Sequence, residues 1–266
     1  MTVALRWAAL DSWNIARRDV LRWVANPTRV LAELGFSACF VLLFGYVFGS
    51  GMTVPGGGDY LEFLMPGLFA QFTAFGVGAT MQEIASDAER GITDRFRSLP
   101  ISPVAVVAGR AMADMLNSIA GLAITIGVGL AVGWSWHGGT ADALAALGLL
   151  LLLRFAFLWI GILLGLIAPS ADAVNALWML LFPITMLTSA FVAPELMPGW
   201  LGFLAEWNPL SSTITATREL FDNPGVPAEG GSWVVDHALA LAVVWPVVLV
   251  AVFLPLAVWR FQRLSR

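Results

Sequence analysis

Apolar residues along this chain of 266 residues gather into six long runs, and most of the breaks between them are short. About 20 apolar residues suffice to cross a bilayer as a helix. The pattern predicts spans over 30–48, 60–85, 104–133, 142–168, 171–192 and 237–259. Pro66 falls in the first turns of the second span, where proline costs least. Pro183 falls inside the fifth. Gly49 to Asp59 reads as a Gly/Pro loop, Pro169-Ser170 as a very short turn, and Trp134, Trp136 and His137 as an interfacial belt. The expected fold is therefore an all-α polytopic membrane protein built as one transmembrane domain over 1–266.

Three segments do not fit a span. Residues 1–29 hold five arginines and no long apolar core, so they do not read as a signal peptide. Val3, Trp7, Leu10, Trp13, Val20, Leu21 and Val24 fall roughly on one helical face, with Asp11, Arg18 and Arg22 opposite; this predicts a helix lying along the membrane surface. Residues 86–103 carry Asp87, Glu89, Arg90, Asp94, Arg95 and Arg97 between two apolar runs. They read as a short helix capped by Ser86 and ended by Pro100 and Pro103, with Ile92, Phe96 and Leu99 on its apolar side. Such a segment is either a solvated loop that fixes topology or an amphipathic helix that docks into a partner. Residues 193–236 are mostly polar, with apolar pieces too short to span; they either dip into the outer leaflet and return or form a surface loop.

Composition agrees with this class and limits the chemistry. The chain is 59% hydrophobic and 12% charged, with mean hydropathy +0.81. Soluble domains carry about 25% charged residues. Lysine is absent, and all 14 basic residues are arginine. Twelve of them fall on one side of the six predicted spans: five before the first, then Arg90, Arg95, Arg97 and Arg110, then Arg260, Arg263 and Arg266. The positive-inside rule places that side, and both termini, in the cytoplasm. The expected location is a bacterial plasma membrane, crossed several times.

A P-loop needs a lysine to reach nucleotide phosphates, so no ordinary ATP site is expected here. His137 and His237 lie far apart, and no metal ligands assemble around them. No catalytic constellation is recognisable and no cofactor is expected in this chain. The single cysteine, Cys39, excludes an intrachain disulfide. Three ionisable positions near or within the spans remain. Arg110 and Asp114, at i and i+4, share a helical face and can pair. Arg154 sits near the middle of its span, where a charge is expensive. It either bonds carbonyls freed near a kink such as Pro183 or lines a substrate path. Glu33 and Glu83 fall near cytoplasmic ends and read as interfacial.

Several local motifs occur in order along the chain. They are Leu64-Met65-Pro66-Gly67, the stretch from Glu89 to Ser102 with Gly109-Arg110 and Asp114 beyond it, Pro194-Glu195-Leu196-Met197-Pro198, and Asn208-Pro209-Leu210 with Arg218. With six spans around them, the chain resembles a permease of the type-2 ABC exporter family, of the daunorubicin-resistance type, over almost its whole length. The resemblance implies a dimer of permeases, the second identical or homologous, each engaging a separate ATP-binding subunit that carries ATP and Mg; two copies of that subunit are expected. It implies a connecting helix over 1–29 and a coupling helix between spans 2 and 3, in which Glu89, Arg90, Gly91, Asp94, Arg95, Phe96, Leu99 and Pro100 meet the ATPase. It also implies re-entrant extracellular helices over 193–236, with Pro194, Glu195, Pro198, Asn208 and Pro209 at an outer gate. The function implied is ATP-driven export of a lipophilic compound such as a drug, antibiotic or lipid. The alternatives are export of a polysaccharide or glycolipid, and a stand-alone ion-coupled transporter, against which the centres of the spans show no carboxylate relay. A membrane-embedded enzyme or assembly factor has no supporting constellation, and nothing suggests nucleic acid.

Overall fold

The computed structural model describes residues 27–52, 54, 56–90, 103–226 and 232–264, and all regular structure among them is helical. The connecting helix expected over 1–29 lies almost wholly outside the described residues, as does the coupling segment from Gly91 to Ser102. Helix α1 (Pro27–Leu42) continues as a π-helical turn over Leu43–Phe48 and a 3-10 turn over Gly49–Gly51. There follow α2 (Tyr60–Glu89), α3 (Pro103–Val132), α4 (Thr140–Ile167) and α5 (Ala171–Met186). Two short helices, α6 (Gly199–Glu206) and α7 (Pro209–Phe221), precede α8 (Trp233–Asp236) and α9 (Ala238–Leu264). Five segments are long and apolar enough to cross a membrane: Leu31–Phe48, Tyr60–Glu89, Ala108–Val132, Thr140–Ile167 and Ala238–Arg263. The fifth predicted span, α5, is apolar but shorter, with 16 residues.

Helices α2 and α4 form the centre. A helix apolar on all sides belongs in an interior or in lipid, and these two supply most of the buried apolar side chains among the described residues. Leu64, Met65, Leu68, Phe69 and Met81 of α2 are fully buried, as are Leu150, Leu153 and Leu158 of α4. Their close approach depends on Gly161 and Gly165. A Cβ on Gly161 would lie 2.9 Å from Thr80 Cβ, and one on Gly165 would lie 2.9 Å from Met81 O. Small residues four apart let membrane helices pack backbone to backbone, which matters where the hydrophobic effect cannot drive helices together. Around this pair, α1 packs on α3 through Ser37 and Thr125, whose hydroxyls are 2.9 Å apart. Ala257 and Phe261 of α9 pack with Leu158 and Ile162 of α4. The outer faces stay apolar: Leu31 and Leu34 of α1, Met179 and Leu180 of α5, and Val243, Val244 and Val247 of α9 are all exposed. Exposed apolar area on this scale fits a lipid surround.

Three predicted boundaries move, each for a physical reason. The second span does not stop at Ala85; α2 runs to Glu89, so Ser86 is interior to it and caps nothing at its start. The charged residues of that last turn have partners on neighbouring helices: Asp87 bonds Arg110 of α3, and Glu89 Oε1 accepts from Ala171 N at the start of α5, 2.7 Å away. The fifth span stops at Met186 rather than Val192, just past Pro183. The last span runs past Trp259 to Leu264 because Phe261 is still buried, with the Arg263 guanidinium 3.9 Å over the Trp259 ring.

Candidate functional site

Buried charge marks two places, and each is organised by an arginine. Arg154 of α4 is 1% exposed. An uncompensated charge there would be very costly, so it must be paired. Its Nη2 donates to Asp114 Oδ1 of α3 and, at 3.0 Å, to Thr80 Oγ1 of α2. Its Nε donates to Ser118 Oγ at 2.7 Å. Thr80 Oγ1 and Asp114 Oδ2 are also bonded. Of the two roles expected for Arg154, bonding freed carbonyls near Pro183 is not what its contacts do: its partners are a carboxylate and two hydroxyls on α2 and α3. Asp114 in turn reaches the interior as the partner of Arg154, so the centre of the bundle does hold a carboxylate. Arg110, one turn before Asp114, meets Asp87 and, at 3.6 Å, Glu83.

The Arg154 cluster forms one wall of a cavity of about 210 Å³ between α1, α2, α3 and α4. Helical spacing builds the walls. Asp114, Asn117, Ser118, Gly121, Leu122 and Thr125 follow one face of α3, and Glu33, Phe36 and Ser37 one face of α1. From α2 come Phe69, Phe72, Thr73, Phe75 and Gly76. Glu33, expected at the membrane interface, lines this interior space. Sequence reasoning missed the cavity, although the polar stripe on α3 was visible as a run at i, i+3, i+4, i+7 and i+11 within an apolar helix.

Arg218 of α7 organises the second place. After Met186 the chain leaves the helix, and Thr188, Ser189 and Ala190 are buried with no ladder to satisfy their carbonyls. Non-helical backbone at membrane depth is tolerated only where protein supplies partners. Arg218 supplies most of them. Its Nη2 donates to Ser189 O at 2.8 Å and Ala190 O at 3.2 Å, and its Nε donates to Phe63 O at 2.9 Å. The guanidinium also lies 3.7 Å over the Phe63 ring. Burial pulls its pKa down to about 9, so it remains charged at neutral pH. Asn208 Nδ2 donates to Ile184 O and Leu187 O at 3.1 and 2.9 Å, while its Oδ1 caps α7 by accepting from Leu210 N. Tyr60 Oη donates to Phe191 O at 3.1 Å. Bonding freed carbonyls beyond Pro183 is thus the work of Arg218 and Asn208.

The other residues expected at an outer gate sit beside this assembly. Pro194 and Glu195 form a 3-10 turn, Pro198 precedes α6, and Pro209 opens α7. Glu195 and Arg218 line a small pocket with Ser189, Ser211 and Ser212. Helix α7 is buried along most of its length although it is too short to span. Its far end is pinned by Asn223, which accepts from Trp134 Nε1 at 3.1 Å and donates to Ser135 O at 3.0 Å. The unwound segment leaves no room at Gly67, where a Cβ would come 2.7 Å from Ala190 O and 2.8 Å from Ala190 Cα. Because backbone atoms must yield, Gly67→Ala should lose about 1–3 kcal/mol in thermal unfolding in detergent. Gly127→Ala, which meets open space, should change stability by less than about 0.5 kcal/mol.

Of the residues expected to couple to an ATPase, only Glu89 and Arg90 lie among the described ones. No cluster of three or more metal-ligating side chains occurs among the described residues.

Comparison with known proteins agrees with this architecture. The ABC-2 type transporter family model matches residues 12–221. The chain is 34% identical over 247 residues to the daunorubicin resistance ABC transporter permease protein DrrB1 of Streptomyces coeruleorubidus, covering 92% of this chain and 84% of that protein. It is 25% identical over 167 residues to the probable multidrug ABC transporter permease YbhR of Escherichia coli (strain K12), covering 61% of this chain and 44% of that one. A multi-pass helical bundle, buried polar clusters inside it and this agreement along nearly the whole chain lead to one assignment: the chain belongs to the ABC-2 type transporter family, as a membrane permease subunit without a nucleotide-binding site of its own.

Proposed function

We propose that this permease is the membrane half of an ATP-driven exporter of lipophilic compounds, drugs or antibiotics among them. Both termini and the segment after Glu89 face the cytoplasm. Residues 89–100, including Gly91, Asp94, Arg95, Phe96, Leu99 and Pro100, seat against an ATP-binding subunit as a helix in a groove. Two such subunits, holding ATP and Mg, serve two permeases, identical or homologous. The exposed apolar faces of α1 and α5 support pairing through those helices. The outer gate comprises the Pro194–Pro198 turn and the Asn208-Pro209 start of α7.

The observation that carries this reading is the bond from Ala171 N to Glu89 Oε1. It ties the start of the coupling segment to the N-terminus of α5, where a carboxylate is favoured by the helix dipole. The other end of α5 is the unwound segment held by Asn208 and Arg218. One rigid helix thus joins the ATPase side to the outer gate, and ATP-driven closure of the ATPase subunits has an element to move. A stand-alone ion-coupled transporter would need a carboxylate free to take up and release protons, whereas Asp114 is held by Arg154.

The test is ATP-dependent dye uptake into inverted vesicles containing the permease and its ATP-binding subunit. Glu89→Ala and Gly91→Pro should each lower uptake and transport-linked ATPase activity about tenfold, equivalent to losing about 1.4 kcal/mol of coupling. Unchanged activity in both variants would sink the coupling role.

A further inference from the structure

Gln71 of α2 is 0% exposed, and neither its Oε1 nor its Nε2 has a hydrogen-bond partner. A buried polar group left bare is costly, and more so at membrane depth. Such a group calls for a use that this form of the protein does not display.

Register shows what lies opposite it. Gln71 is four residues after Gly67 and seven before Gly78, so the three share one stripe of α2. A Cβ on Gly78 would come 3.0 Å from the Trp178 ring of α5, the rings of Phe75 and Phe182 stack with centroids 5.8 Å apart, and a Cβ on Gly67 would come 2.7 Å from Ala190 O. Moving forward along α5 thus means moving back along α2, and the last turn of α5 with the residues just after it passes over Gln71. Thr185 is seven residues after Trp178 and three after Phe182. Continuing the helix beyond Met186 puts Ser189 one turn further along the same stripe. Ser189 is 2% exposed, and its Oγ is also without a partner. Thr185 Oγ1 donates to Phe182 O at 2.8 Å, which leaves its lone pairs to accept.

We propose that Gln71 is a positioning residue for a second conformation of the permease, in which 187–193 rewinds onto α5 and the amide bridges the lengthened helix. Its Nε2 donates to Thr185 Oγ1, and its Oε1 accepts from Ser189 Oγ. Bonds of this kind tie membrane helices together. One movement gives partners to all three bare atoms, Oε1 and Nε2 of Gln71 and Oγ of Ser189. It also withdraws Ser189 O and Ala190 O from Arg218 Nη2. Arg218 therefore holds one form and Gln71 the other. This inference rests on the export reading above, in which ATP drives the change of form.

The experiment uses the complex of the full chain with its ATP-binding subunit in lipid nanodiscs, either free of nucleotide or trapped with ATP and orthovanadate. Gln71→Leu removes the bare amide, so it should raise the thermal midpoint of the nucleotide-free complex by at least about 2 °C. It should lower the midpoint of the trapped complex, whereas a purely structural role moves both midpoints the same way. In vesicles, it should cut the maximal rate of ATP-dependent dye uptake at least about tenfold, with the half-saturating dye concentration unchanged. Trapping should slow amide exchange across 187–193 in the unaltered complex but not in Gln71→Leu. Ser189→Ala should reproduce the loss of uptake, and combining it with Gln71→Leu should add little. A lower midpoint without nucleotide, as an amide bonded to buried water would give, overturns the inference, and so does full uptake by Gln71→Leu. If Gln71→Leu does not assemble, exchange in the unaltered complex and in Ser189→Ala decides: exchange across 187–193 that trapping leaves unchanged in the unaltered complex, or slows equally in both, overturns it. Absence of uptake by the unaltered complex removes the export reading, while trapping-dependent exchange that needs Gln71 leaves the bridge standing.

Discussion

Arg154→Leu should destabilise the permease by about 3–5 kcal/mol, because it strands the Asp114 carboxylate inside the bundle. The side chain of Asp114 is 15% exposed and would be left with only hydroxyl partners, Thr80 and Ser118. Thermal unfolding in detergent, followed by gel filtration, reads this loss. The paired replacement distinguishes the cause. Asp114→Leu combined with Arg154→Met removes both charges, and buried ion pairs are often replaced by apolar pairs at little cost. The double variant should therefore regain most of the stability lost in Arg154→Leu. A double variant no more stable than the single one would show that Arg154 acts through packing against α2 rather than through its charge. Transport is expected to stay low in the double variant, since the cavity wall loses its polar character.

The second large effect is expected at Arg218. Arg218→Met removes three hydrogen bonds from a charged donor to backbone carbonyls, together with the contact to the Phe63 ring. Each bond of this kind is worth about 1.5–3 kcal/mol. The carbonyls of Ser189 and Ala190 are buried and would be left bare. A loss of at least about 3 kcal/mol is expected. It should be localised: amide hydrogen exchange across Leu187–Ala193 should rise sharply, while exchange in the centre of α4 changes little. Arg218→Lys should recover less than half, because an ammonium on a flexible stem cannot hold the planar fork that spans three carbonyls. If Arg218→Lys restores both exchange protection and transport, the fork geometry is irrelevant and only the charge matters.

The membrane-crossing pattern was legible because it depends on long stretches of chain. Hydropathy over some twenty residues is a property of each segment alone, and the apolar runs gave helices close to their expected places. The corrected features depend on contacts between segments. Ser86 followed by Asp87 reads as a helix start, yet Asp87 continues α2 because Arg110 of another helix faces it. Arg110 and Asp114 suggest a pair on one helix, but Arg110 meets Asp87 and Asp114 meets Arg154, 40 residues away. The run after Pro183 remains apolar through Phe191 and Val192, and composition does not separate a helix from buried backbone whose carbonyls a distant arginine accepts responsibility for bonding. Arg218 reads from sequence as an isolated charge, whereas it makes three hydrogen bonds to buried backbone carbonyls. The cavity was half visible: the stripe from Asp114 to Thr125 was in the sequence, but the facing phenylalanines of α2 appear to the eye as ordinary core.

The shortness of α5 has a consequence for the membrane itself. At 1.5 Å per residue its 16 residues extend about 24 Å, against about 30 Å of hydrocarbon. Met179, Leu180 and Ile184 face outward along it. A mismatch of this kind costs a fraction of a kcal/mol for each ångström. Rewinding 187–193 would lengthen the helix and relieve that mismatch, while unwinding restores it. Bilayer thickness therefore enters the energy balance of the segment after Met186: thicker membranes pull toward the long helix, and thinner ones favour the form held by Asn208 and Arg218.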